Sequence, residues 1–556
     1  MIVFLFTAWS MFLLTDGAAE LLKNPDFEST SFSGNWICSG CTLSSSTDSF
    51  HGNHSGKVTQ RTNAGIGLGQ TVAVSPGHTY VFSARVKLLN MAPGHMFHNV
   101  QLRVKESAHS HTTHVNASTN PKTRRENGWV EVGFDFTVSP GIHQISIFFA
   151  INEQQVNYMV DDASFEELTY DANWKSEANS RITSIRKAPI TVNFQNLHGS
   201  GYTVEIQQTG SKFAFGSVVD AAMIVDSVHR PYQQFFYDNF EWGVLGNALK
   251  WPQTEPVQGH PNLDNAMIAV NALRAKGKKM RGHNMFWGNA KYTHPRWLNG
   301  MNSSEIIQSM HTHINDVISH TRGTLEHWDV YNENLHGIYF EESTGHVNIT
   351  KEMFYWVHHA ERGVKLFLND FAVASSSKMT TAYKNQALTM KNAGVPIYGI
   401  GIQCHTNAQL NISSLKYRLD KIAEAGLPIW ITEFTVEESN EAIKADALED
   451  MLTLFISHPA VEGVLLWGYW DGRIWIPESA LATGHNVEPN EAGRRYLQLY
   501  HQTWRTNETL HVTGNYVYTT GFKGDYTLRL KHSGHLVRTQ HFTLDNGGKT
   551  VNVKMP

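Results

Sequence analysis

The apolar residues of positions 212–505 follow a pattern that few folds can accommodate. Short apolar runs, such as 213–219 and 429–434, alternate with amphipathic stretches of helical period, such as 263–276 and 415–425. Strands that are buried on both faces and separated by helices pair in parallel. About eight such repeats fit this region, which is the number that closes a (β/α)8 TIM barrel. We therefore predict a TIM barrel over residues 212–505.

The regions on either side of this barrel follow a different pattern. In residues 20–168, short runs of alternating apolar and polar residues are separated by turn residues, which predicts an antiparallel β-sandwich of the jelly-roll type. Residues 169–211 begin with a polar stretch and are predicted to be a connecting segment or linker. Residues 506–556 return to alternation and predict a small β extension. We therefore expect a multidomain protein.

The first residues have the features of a targeting segment. An apolar run at 2–14 is too short to span a membrane, and small residues follow it at 17–19. These features predict a signal peptide over residues 1–19 and a secreted, extracellular protein. No positive charge precedes the run, so a buried first helix is the alternative. Sequons for N-glycosylation begin at Asn53, Asn116, Asn302, Asn348, Asn411 and Asn507.

The chain has three cysteines, Cys38, Cys41 and Cys404. The first two form a C-x-x-C motif without the second ligand pair that a zinc site needs. In a secreted chain this pair is interpreted either as a local disulfide, which we favour, or as two free thiols. We expect Cys404 to be a buried thiol.

The charge balance excludes several classes of partner. There are 45 Lys and Arg residues against 50 Asp and Glu, a net charge of −5, and no basic run that would bind a phosphate backbone. Beyond the first residues, no segment reaches membrane-spanning length, so we expect neither nucleic acid nor membrane as a partner. Aromatic residues make up 11% of the chain and offer flat apolar faces to an uncharged ligand.

The carboxyl ends of the predicted barrel strands carry distinctive polar and aromatic residues. The active sites of TIM barrels lie at that face. The apolar runs end at or near Asn247, Lys250 and Trp251; His283 and Trp287; Asn332 and Glu333; Asn369 and Asp370; Gln403 and His405; Glu433; and Trp467 and Trp475. Two carboxylates, Glu333 and Glu433, therefore end separate strands among tryptophan rings and amides. A single strand-end glutamate is more often an ordinary loop acid, but two in these surroundings indicate catalysis.

Two carboxyl groups in opposite ionisation states suit the cleavage of a glycosidic bond. One group protonates the leaving oxygen, while the other stabilises the anomeric carbon as it becomes oxocarbenium-like. This chemistry needs no cofactor, and we expect none in the barrel.

Five segments at these strand ends form a specific set. They are 280–283 (MRGH) with Trp287, 328–333 (WDVYNE), 399–405 (GIGIQCH), 431–433 (ITE) and 467–468 (WG) with Trp475. In this order they resemble the signature segments of glycoside hydrolase family ten, the retaining endo-1,4-β-xylanases. The resemblance implies a TIM barrel that hydrolyses β-1,4-xylan, with activity on β-1,4-glucan in some members. We expect a β-1,4-linked polysaccharide as the partner of a monomeric enzyme.

The resemblance also implies roles for single residues. Glu333 would be the general acid/base and Glu433 the nucleophile, with their carboxyl groups about 5–5.5 Å apart. Asn332 would bind the sugar 2-hydroxyl, and His405 would orient Glu433. The other residues would line the sugar-binding subsites: His283, Gln403, Trp287, Trp467 and Trp475 around the distorted sugar, with Asn247 and Lys250 around the next one.

The chain departs from the family pattern at three positions. Gly246 stands where a glutamate usually precedes the asparagine, so one acceptor for a sugar hydroxyl is missing. Thr435 replaces an aspartate that usually supports the histidine, so His405 is expected to be neutral, because a hydroxyl cannot stabilise an imidazolium ion. Cys404 stands where serine is common and is interpreted as a packing change.

The N-terminal region carries landmarks at 21–28, Trp36 and 158–162. In these it resembles carbohydrate-binding modules of families four, nine and twenty-two. Its aromatic residues are predicted either to stack on sugar rings or to belong to the core: Trp36, Tyr80, Trp129 and Tyr158. Asp161 and Asp162 are a possible structural calcium site.

Three alternatives to a xylanase remain open at this level. The chain is either a broad β-1,4-glycanase that also acts on cellulose, a polysaccharide-binding protein whose barrel has lost catalysis, or a structural scaffold. Gly246 favours the first alternative, because a missing acceptor relaxes selection among sugars. The presence of both glutamates and Asn332 argues against the second alternative, and the dense polar strand ends argue against the third.

Overall fold

The computed structural model of the chain describes residues 19–108, 111–195, 199–289, 291 and 294–554. All but the last residue of the predicted signal peptide therefore lie outside the described residues. The described chain forms two compact units. The first consists of residues up to Asp171 together with Ser377–Ala382, and the second of the remaining residues from Ala172 onwards.

The first unit is a β-sandwich, as the alternating pattern predicts. One antiparallel sheet has the strand order β1-β4-β10-β6-β7, with β8 beside β6, and the other has the order β2-β3-β11-β5-β9. The strands are β1 (Ile37–Cys38), β2 (Thr42–Ser46), β3 (Ser55–Thr59), β4 (Leu68–Ala73), β5 (Thr79–Leu88), β6 (His98–Ala108), β7 (His111–Ala117), β8 (Asn120–Thr123), β9 (Trp129–Thr137), β10 (Gln144–Ile151) and β11 (Tyr158–Glu167).

Three of the four aromatic residues proposed for sugar stacking belong to the core of this sandwich. Trp36 stacks on Phe27 with ring centroids 5.0 Å apart, and its Nε1 donates to the carbonyl of Asn24. Tyr80 and Tyr158 are also buried, and their hydroxyls accept backbone N–H groups. Trp129 is half-buried at the surface. The three core rings are therefore not available to a ligand.

The acidic pair and the cysteine pair of the sandwich both have local partners. The carboxylate of Asp161 accepts the backbone N–H groups of Phe50, His51 and Asp162. The carboxylate of Asp162 lies 3.9 Å from Arg85. Both carboxylates thus have protein partners, and the calcium site proposed for this pair stays a prediction. Cys38 and Cys41 form a disulfide.

The segment predicted as a linker, 169–211, is instead largely regular structure. It contains helix α1 (Trp174–Arg186) and the strands β12 (Lys187–Gln195) and β13 (Tyr202–Ser211). The polar residues at the start of the segment gave no indication of these strands. The strands that pair with them lie far away in the sequence, near the end of the chain.

The barrel follows, and it confirms the predicted fold class. Eight parallel strands close in the order β16-β15-β14-β22-β21-β20-β19-β18, with β16 paired to β18, and the short β17 lies beside β18. The strands are β14 (Ala214–Val219), β15 (Trp242–Leu245), β16 (Lys279–Gly282), β17 (Phe286–Trp287), β18 (His327–Asn332), β19 (Lys365–Asp370), β20 (Gly399–Asn407), β21 (Ile429–Glu437) and β22 (Val461–Leu466).

Helices connect successive barrel strands, and one further helix follows the last strand. They are α2 (Ala221–Val225), α3 (Arg230–Asn239), α4 (Trp251–Thr254), α5 (Asp264–Ala275), α6 (Ser303–Thr321), α7 (Tyr339–Thr344), α8 (Ile349–Ala360), α9 (Thr380–Asn392), α10 (Ile412–Ala423), α11 (Glu441–Ser457) and α12 (Glu491–Gln498). Short 3₁₀ turns occur at Arg125–Asn127, Ser227–His229, Arg296–Leu298, Asp471–Arg473 and Pro477–Ser479, and a π-helical turn occurs at Leu499–Thr503. A two-stranded ribbon joins β23 (Ala482–Thr483) to β24 (Glu488–Pro489).

Asparagine side chains begin several of these helices. Asn302 accepts the N–H of Glu305 at the start of α6, and the Glu305 carboxylate accepts the N–H of Asn302 in return. The side chains of Asn411 and Asn440 each accept two backbone N–H groups in the first turns of α10 and α11. Such caps satisfy N–H groups that the helix itself leaves unpaired, so they fix where each helix starts after its strand.

The predicted C-terminal extension completes a second β-sandwich with the strands of the linker. Its strands are β25 (Asn507–His511), β26 (Tyr516–Phe522), β27 (Gly524–His532), β28 (His535–Leu544) and β29 (Lys549–Lys554). One sheet has the order β26-β12-β29 and the other the order β25-β13-β27-β28. The two sheets enclose a core that includes Ile190, Val192 and Leu528. We call this part the C-terminal sandwich.

Arg186 joins α1 to the amino-terminal end of the barrel strands. Its Nε donates to the carbonyl of Ile456, and its Nη2 donates to the carbonyls of His458 and Val461. Burial lowers the pKa of Arg186 to about 10. The C-terminal sandwich begins at the next residue, so this side chain holds its first strand against the barrel.

No helix among the described residues is long and apolar enough to cross a membrane.

We predict that Arg186→Ala lowers the free energy of unfolding of the second unit by about 2–4 kcal/mol, because three carbonyls lose their donor in a partly buried site. Chemical denaturation of the full chain, followed by tryptophan fluorescence, measures this loss. Arg181→Ala on the same helix is the control. Arg181 contacts Glu177 at 3.5 Å on the surface, and its loss should change stability by less than about 0.5 kcal/mol. Equal effects of the two substitutions would contradict the anchoring role of Arg186.

Candidate active site

Glu333 follows β18 directly and has an unusual backbone conformation. Its φ is 55°, in the left-handed region that residues other than glycine rarely adopt. Its N–H donates to the carbonyl of Asn369 at 2.8 Å, and its carbonyl accepts the N–H of His336. These bonds turn the chain out of the strand direction and fix the Cα of Glu333 at the rim of the barrel.

Glu433 lies inside β21, and its carboxylate is almost completely buried, with 5% of the residue exposed. Oε1 accepts a hydrogen bond from Nδ2 of Asn369 at 3.0 Å. Oε2 lies 3.2 Å from Nε2 of His405, and Nε2 of His283 lies 4.0 Å from Oε1. Glu433 is therefore held on both oxygens.

Three amides connect the two glutamates, and we call Asn332, Asn369 and Gln403 the amide bridge. Nε2 of Gln403 donates to Oε1 of Glu333 at 3.3 Å and to Oδ1 of Asn332 at 3.1 Å. Nδ2 of Asn369 donates to the same Oδ1 at 2.8 Å and to Glu433. The hydroxyl of Thr432 donates to Oδ1 of Asn369, which fixes the amide with its NH2 group towards the bridge. Both carboxylates thus belong to one hydrogen-bond network.

The environment of Glu333 favours its protonated form. Burial raises the pKa of Glu333, and the negative charges of Glu433 and Asp370 raise it further. Nε1 of Trp287 donates to Oε2 of Glu333 at 2.7 Å, and this bond together with that from Gln403 opposes the rise without cancelling it. Glu333 is therefore suited to hold a proton.

The environment of Glu433 favours its ionised form. Burial alone would raise the pKa of this carboxyl, but the hydrogen bond from His405 and the electrostatic interactions with His283, His405 and Lys250 lower it overall. The same burial lowers the pKa of Lys250, while the two glutamates counteract that effect. The two carboxyl groups thus have pKa values displaced in opposite directions, as an acid and a nucleophile require.

A buried ion pair below the site orients His283. Nδ1 of His283 lies 2.9 Å from Oδ2 of Asp329, and Arg281 donates to the same carboxylate. Burial would raise the pKa of Asp329, but the charge of Arg281 and the bond with His283 lower it. Since the ionised Asp329 accepts from Nδ1, the ring of His283 turns Nε2 towards Glu433.

His405 lies between Thr435 and Glu433. Its Nδ1 lies 3.0 Å from Oγ1 of Thr435, and its Nε2 lies 3.2 Å from Oε2 of Glu433. A ring that donates from Nε2 to the carboxylate can accept the threonine hydroxyl at Nδ1. Thr435 thus orients the ring, and the neutral state that we expect for His405 agrees with this arrangement but stays a prediction.

The predicted sugar-binding residues surround this pair. Nζ of Lys250 donates to Oδ1 of Asn247 at 2.9 Å and lies 4.6 Å from the ring centroid of Trp287. The ring of Trp467 lies edge-on to that of His283, with centroids 5.4 Å apart. Trp475 lies edge-on to His405 at 4.9 Å and is 67% exposed. A broad, partly open aromatic surface therefore borders the carboxylates.

The structure thus brings all the predicted site residues to one end of the barrel. The separation of about 5–5.5 Å between the carboxyl groups stays a prediction. Two residues in the site received no role from the sequence, Asn369 and Asp329. Asn369 lies beside Asp370 at the end of a strand, and this position was the signal that could have indicated a role for it. Asp329 lies four residues before Glu333, so the alternation of side chains along the strand could have indicated that it points into the barrel.

Two histidines and a glutamate of the N-terminal sandwich lie close enough together to be metal ligands. Nδ1 of His98 lies 2.7 Å from Oε2 of Glu153, and His95 lies nearby. However, Nε2 of His98 accepts the backbone N–H of Ala92 at 2.9 Å. The neutral ring must then carry its proton on Nδ1, which donates to Glu153. The cluster is explained as a structural hydrogen-bond chain, not as a metal site.

The chemistry available at this site is acid-assisted displacement at a neutral acetal. A carboxyl group with a raised pKa, a carboxyl group with a lowered pKa and amide donors lie in one hydrogen-bonded site that indole rings border. This combination can protonate a leaving oxygen, stabilise positive charge at the adjacent carbon and hold sugar hydroxyls.

Two family models match the chain. The model of Glycosyl hydrolase family 10 matches residues 205–498, which is more than half of the chain. A model described as a carbohydrate binding domain matches residues 19–155.

Curated relatives and a solved structure are similar to parts of this chain. Endo-1,4-beta-xylanase 1 of Arabidopsis thaliana is 28% identical over 77% of this chain, and Anti-sigma-I factor RsgI6 of Acetivibrio thermocellus is 30% identical over 68% of it. The chain spans only 46% and 49% of the lengths of these two proteins. The crystal structure of xylanase 10B from Thermotoga petrophila RKU-1 in complex with xylobiose aligns over 52% of this chain and 95% of its own, with 23% identity and a TM-score of 0.49.

The opposite pKa displacements of the two glutamates predict opposite effects on stability. A raised pKa means that ionised Glu333 costs folding free energy above its folded pKa, and this cost disappears below the ordinary value of 4.5. A lowered pKa means that ionised Glu433 stabilises the fold above 4.5, and this contribution disappears as the pH falls through its folded pKa. At pH 7, Glu333→Gln should therefore raise Tm by roughly 1–3 °C, and Glu433→Gln should lower it by a similar amount.

Calorimetry of both variants and the unsubstituted protein between pH 7 and pH 4 measures these differences. Each variant is the matched control of the other, since both remove one carboxylate charge. The Glu333→Gln difference should shrink as the pH falls towards 4.5, whereas the Glu433→Gln difference should start to shrink only near 4.5. Shifts of the same sign at pH 7 would contradict the proposed ionisation states.

Proposed function

Because the chain belongs to glycosyl hydrolase family 10, we propose that it is a retaining endo-1,4-β-xylanase that cleaves internal bonds of xylan. The observation that carries this proposal is the pair of glutamates on one amide bridge, with the pKa of Glu333 raised and that of Glu433 lowered. We further propose that the protein is secreted by way of the segment at residues 1–19, and that its N-terminal sandwich binds polysaccharide.

In the first step, Glu333 acts as the general acid. Its carboxyl donates a proton to the glycosidic oxygen while a carboxylate oxygen of Glu433 bonds to the anomeric carbon, and the bond to the leaving oxygen breaks. The product is a glycosyl ester on Glu433. Asn369 and His405 hold the attacking carboxylate and limit its rotation.

In the second step, Glu333 acts as the general base. Once Glu433 is esterified, its negative charge is gone, and the repulsion that raised the pKa of Glu333 is reduced. The ionised Glu333 then accepts a proton from water, whose oxygen attacks the anomeric carbon and releases Glu433 as a carboxylate. Two displacements at one carbon retain its configuration.

Asn332 is suited to hold the sugar in both steps. Its Oδ1 accepts from Asn369 and Gln403, so its Nδ2 donor is oriented away from the amide bridge. We assign Nδ2 to a hydroxyl of the sugar next to the scissile bond. Trp467, Trp475 and Trp287 supply ring faces and edges for the sugar rings, and Asn247 with Lys250 supplies polar contacts on the side of Trp287.

A broad β-1,4-glycanase is the second candidate within the same chemistry. It is favoured by Gly246, whose missing side chain would extend towards Val218 without other close neighbours. Initial rates on xylan and on a soluble cellulose derivative, compared before and after Gly246→Glu, separate the two candidates.

A polysaccharide-binding protein without catalysis is the candidate from another class, and one relative carries the name of an anti-sigma factor. The complete carboxylate pair argues against this candidate. Release of reducing sugar from xylan by the purified chain would eliminate it.

We predict that Glu333→Ala and Glu433→Ala each abolish hydrolysis of xylan, lowering kcat by at least about 10³-fold. Azide tells the two roles apart, since this small anion fits the space left by either carboxylate. With an aryl xylobioside, whose leaving group needs no acid, Glu333→Ala plus azide should give the β-azide, and Glu433→Ala plus azide should give the α-azide. Proton NMR of the products assigns the configuration. The reverse assignment would exchange the roles of the two glutamates.

Thr435 predicts a pH effect of its own. Thr435→Asp places a carboxylate beside Nδ1 of His405, which favours the imidazolium ion and thereby the ionised form of Glu433. The acid limb of kcat/KM on a soluble aryl xylobioside should move to lower pH. Thr435→Val, which only removes the hydroxyl, should lower kcat roughly tenfold without moving the limb to lower pH. An acid limb that moves to higher pH in Thr435→Asp would show that His405 stays neutral.

A further inference from the structure

The C-terminal sandwich carries two exposed tyrosines on one strand. Tyr516 is 68% exposed and Tyr518 is 63% exposed, whereas nine tyrosines of the described chain are buried. Side chains two positions apart on a strand point to the same face. Both rings therefore stand on the outer face of β26, the edge strand of the sheet β26-β12-β29.

The register of this sheet places similar polar residues beside each tyrosine. Tyr516 lies opposite Asn193, which in turn lies opposite Asn552. The next row on the same face repeats this arrangement with Tyr518, Thr191 and Thr550. Nδ2 of Asn193 donates to Oδ1 of Asn552 at 3.2 Å, so the polar groups of the first row are connected. Each row thus presents one aromatic ring followed by two uncharged polar side chains.

These two rows, which we call the tyrosine face, hold no charged side chain. Lys549 and Lys554 lie at the two ends of β29, beyond the rows. An uncharged face with exposed rings does not complement a nucleic acid or an acidic peptide. Aromatic rings that pack against C–H groups, beside amides and hydroxyls that bond to hydroxyls, complement a neutral carbohydrate.

The tyrosine face is remote from the carboxylates. Arg186, next to the first residue of β12, bonds to carbonyls at the start of β22, and Glu241, just before β15, accepts from the N–H of Ser211 and from Arg505. The C-terminal sandwich is therefore attached to the amino-terminal end of the barrel strands, whereas the glutamates lie at the carboxyl end. A ligand on the tyrosine face would not extend the catalytic cleft.

From this chemistry and this placement, we propose that the tyrosine face is a second binding site for the polysaccharide, which takes a neutral β-1,4-linked glycan chain across Tyr516 and Tyr518. The proposal rests on the proposed function, since it takes the ligand to be the substrate polymer. Its effect would be tethering. A polysaccharide bound here raises the local concentration of its glycosidic bonds near the barrel, and this effect exists for long polymers and not for short oligosaccharides.

Protection from chemical modification tests the site directly. The full chain with Glu433→Gln is treated with tetranitromethane, with and without xylohexaose, and nitration of each tyrosine is followed by mass spectrometry. Xylohexaose should slow the nitration of Tyr516 and Tyr518 several-fold. Tyr170, which is 65% exposed, is the internal control and should react at an unchanged rate. Equal rates with and without the oligosaccharide at Tyr516 and Tyr518 would overturn the proposal.

Substitution of both tyrosines tests the consequence. In the otherwise unsubstituted chain, Tyr516→Ala with Tyr518→Ala should weaken binding to insoluble xylan about tenfold and slow its hydrolysis, while hydrolysis of an aryl xylobioside stays unchanged. Tyr170→Ala is the matched control and should alter neither. If the unsubstituted chain does not hydrolyse the aryl xylobioside, the proposed function is wrong. If the double variant binds insoluble xylan as tightly as the unsubstituted chain, the tyrosine face is not a binding site.

Discussion

The site depends on keeping two neighbouring carboxyl groups in different ionisation states. Like charges in a buried cleft cannot both persist at low cost, so the surroundings must decide which group keeps its proton. Here His405, His283 and Lys250 all favour ionised Glu433. Burial and the two nearby acids, Glu433 and Asp370, favour protonated Glu333. The amide bridge supplies hydrogen bonds to both groups without adding a charge, so it preserves this difference.

Much of this arrangement was predictable because the barrel imposes it. Buried strands that alternate with helices predict a closed parallel sheet, and the carboxyl ends of such strands meet at one rim. Glu333 and Glu433 could therefore be placed together from a sequence separation of about a hundred residues. Asp329 and Asn369 were harder to assign, because the residue type alone does not tell whether a buried acid or amide has a structural or a catalytic role. Their roles follow from partners on other strands, which only three-dimensional contacts reveal.

The strands beside the barrel were misjudged for a related reason. Residues 187–195 and 202–211 are amphipathic strands, but they follow a polar helix, and their neighbours in the sheet come from residues 507–554. Long-range pairing leaves no local signal of which segments belong together. For the N-terminal sandwich the difficulty was the reverse: alternation predicts the strands, yet it does not tell whether rings such as Tyr80 and Tyr158 serve the core or a ligand.

The pairing of β12 and β13 with strands from the end of the chain has a consequence for biosynthesis. The ribosome releases β12 and β13 some three hundred residues before β25 to β29 exist, because the whole barrel is translated between them. During that interval their backbone edges lack final partners and are open to pairing with other chains. Closure of the C-terminal sandwich must therefore be among the last events of folding, and chaperones that cover strand edges would act in this window.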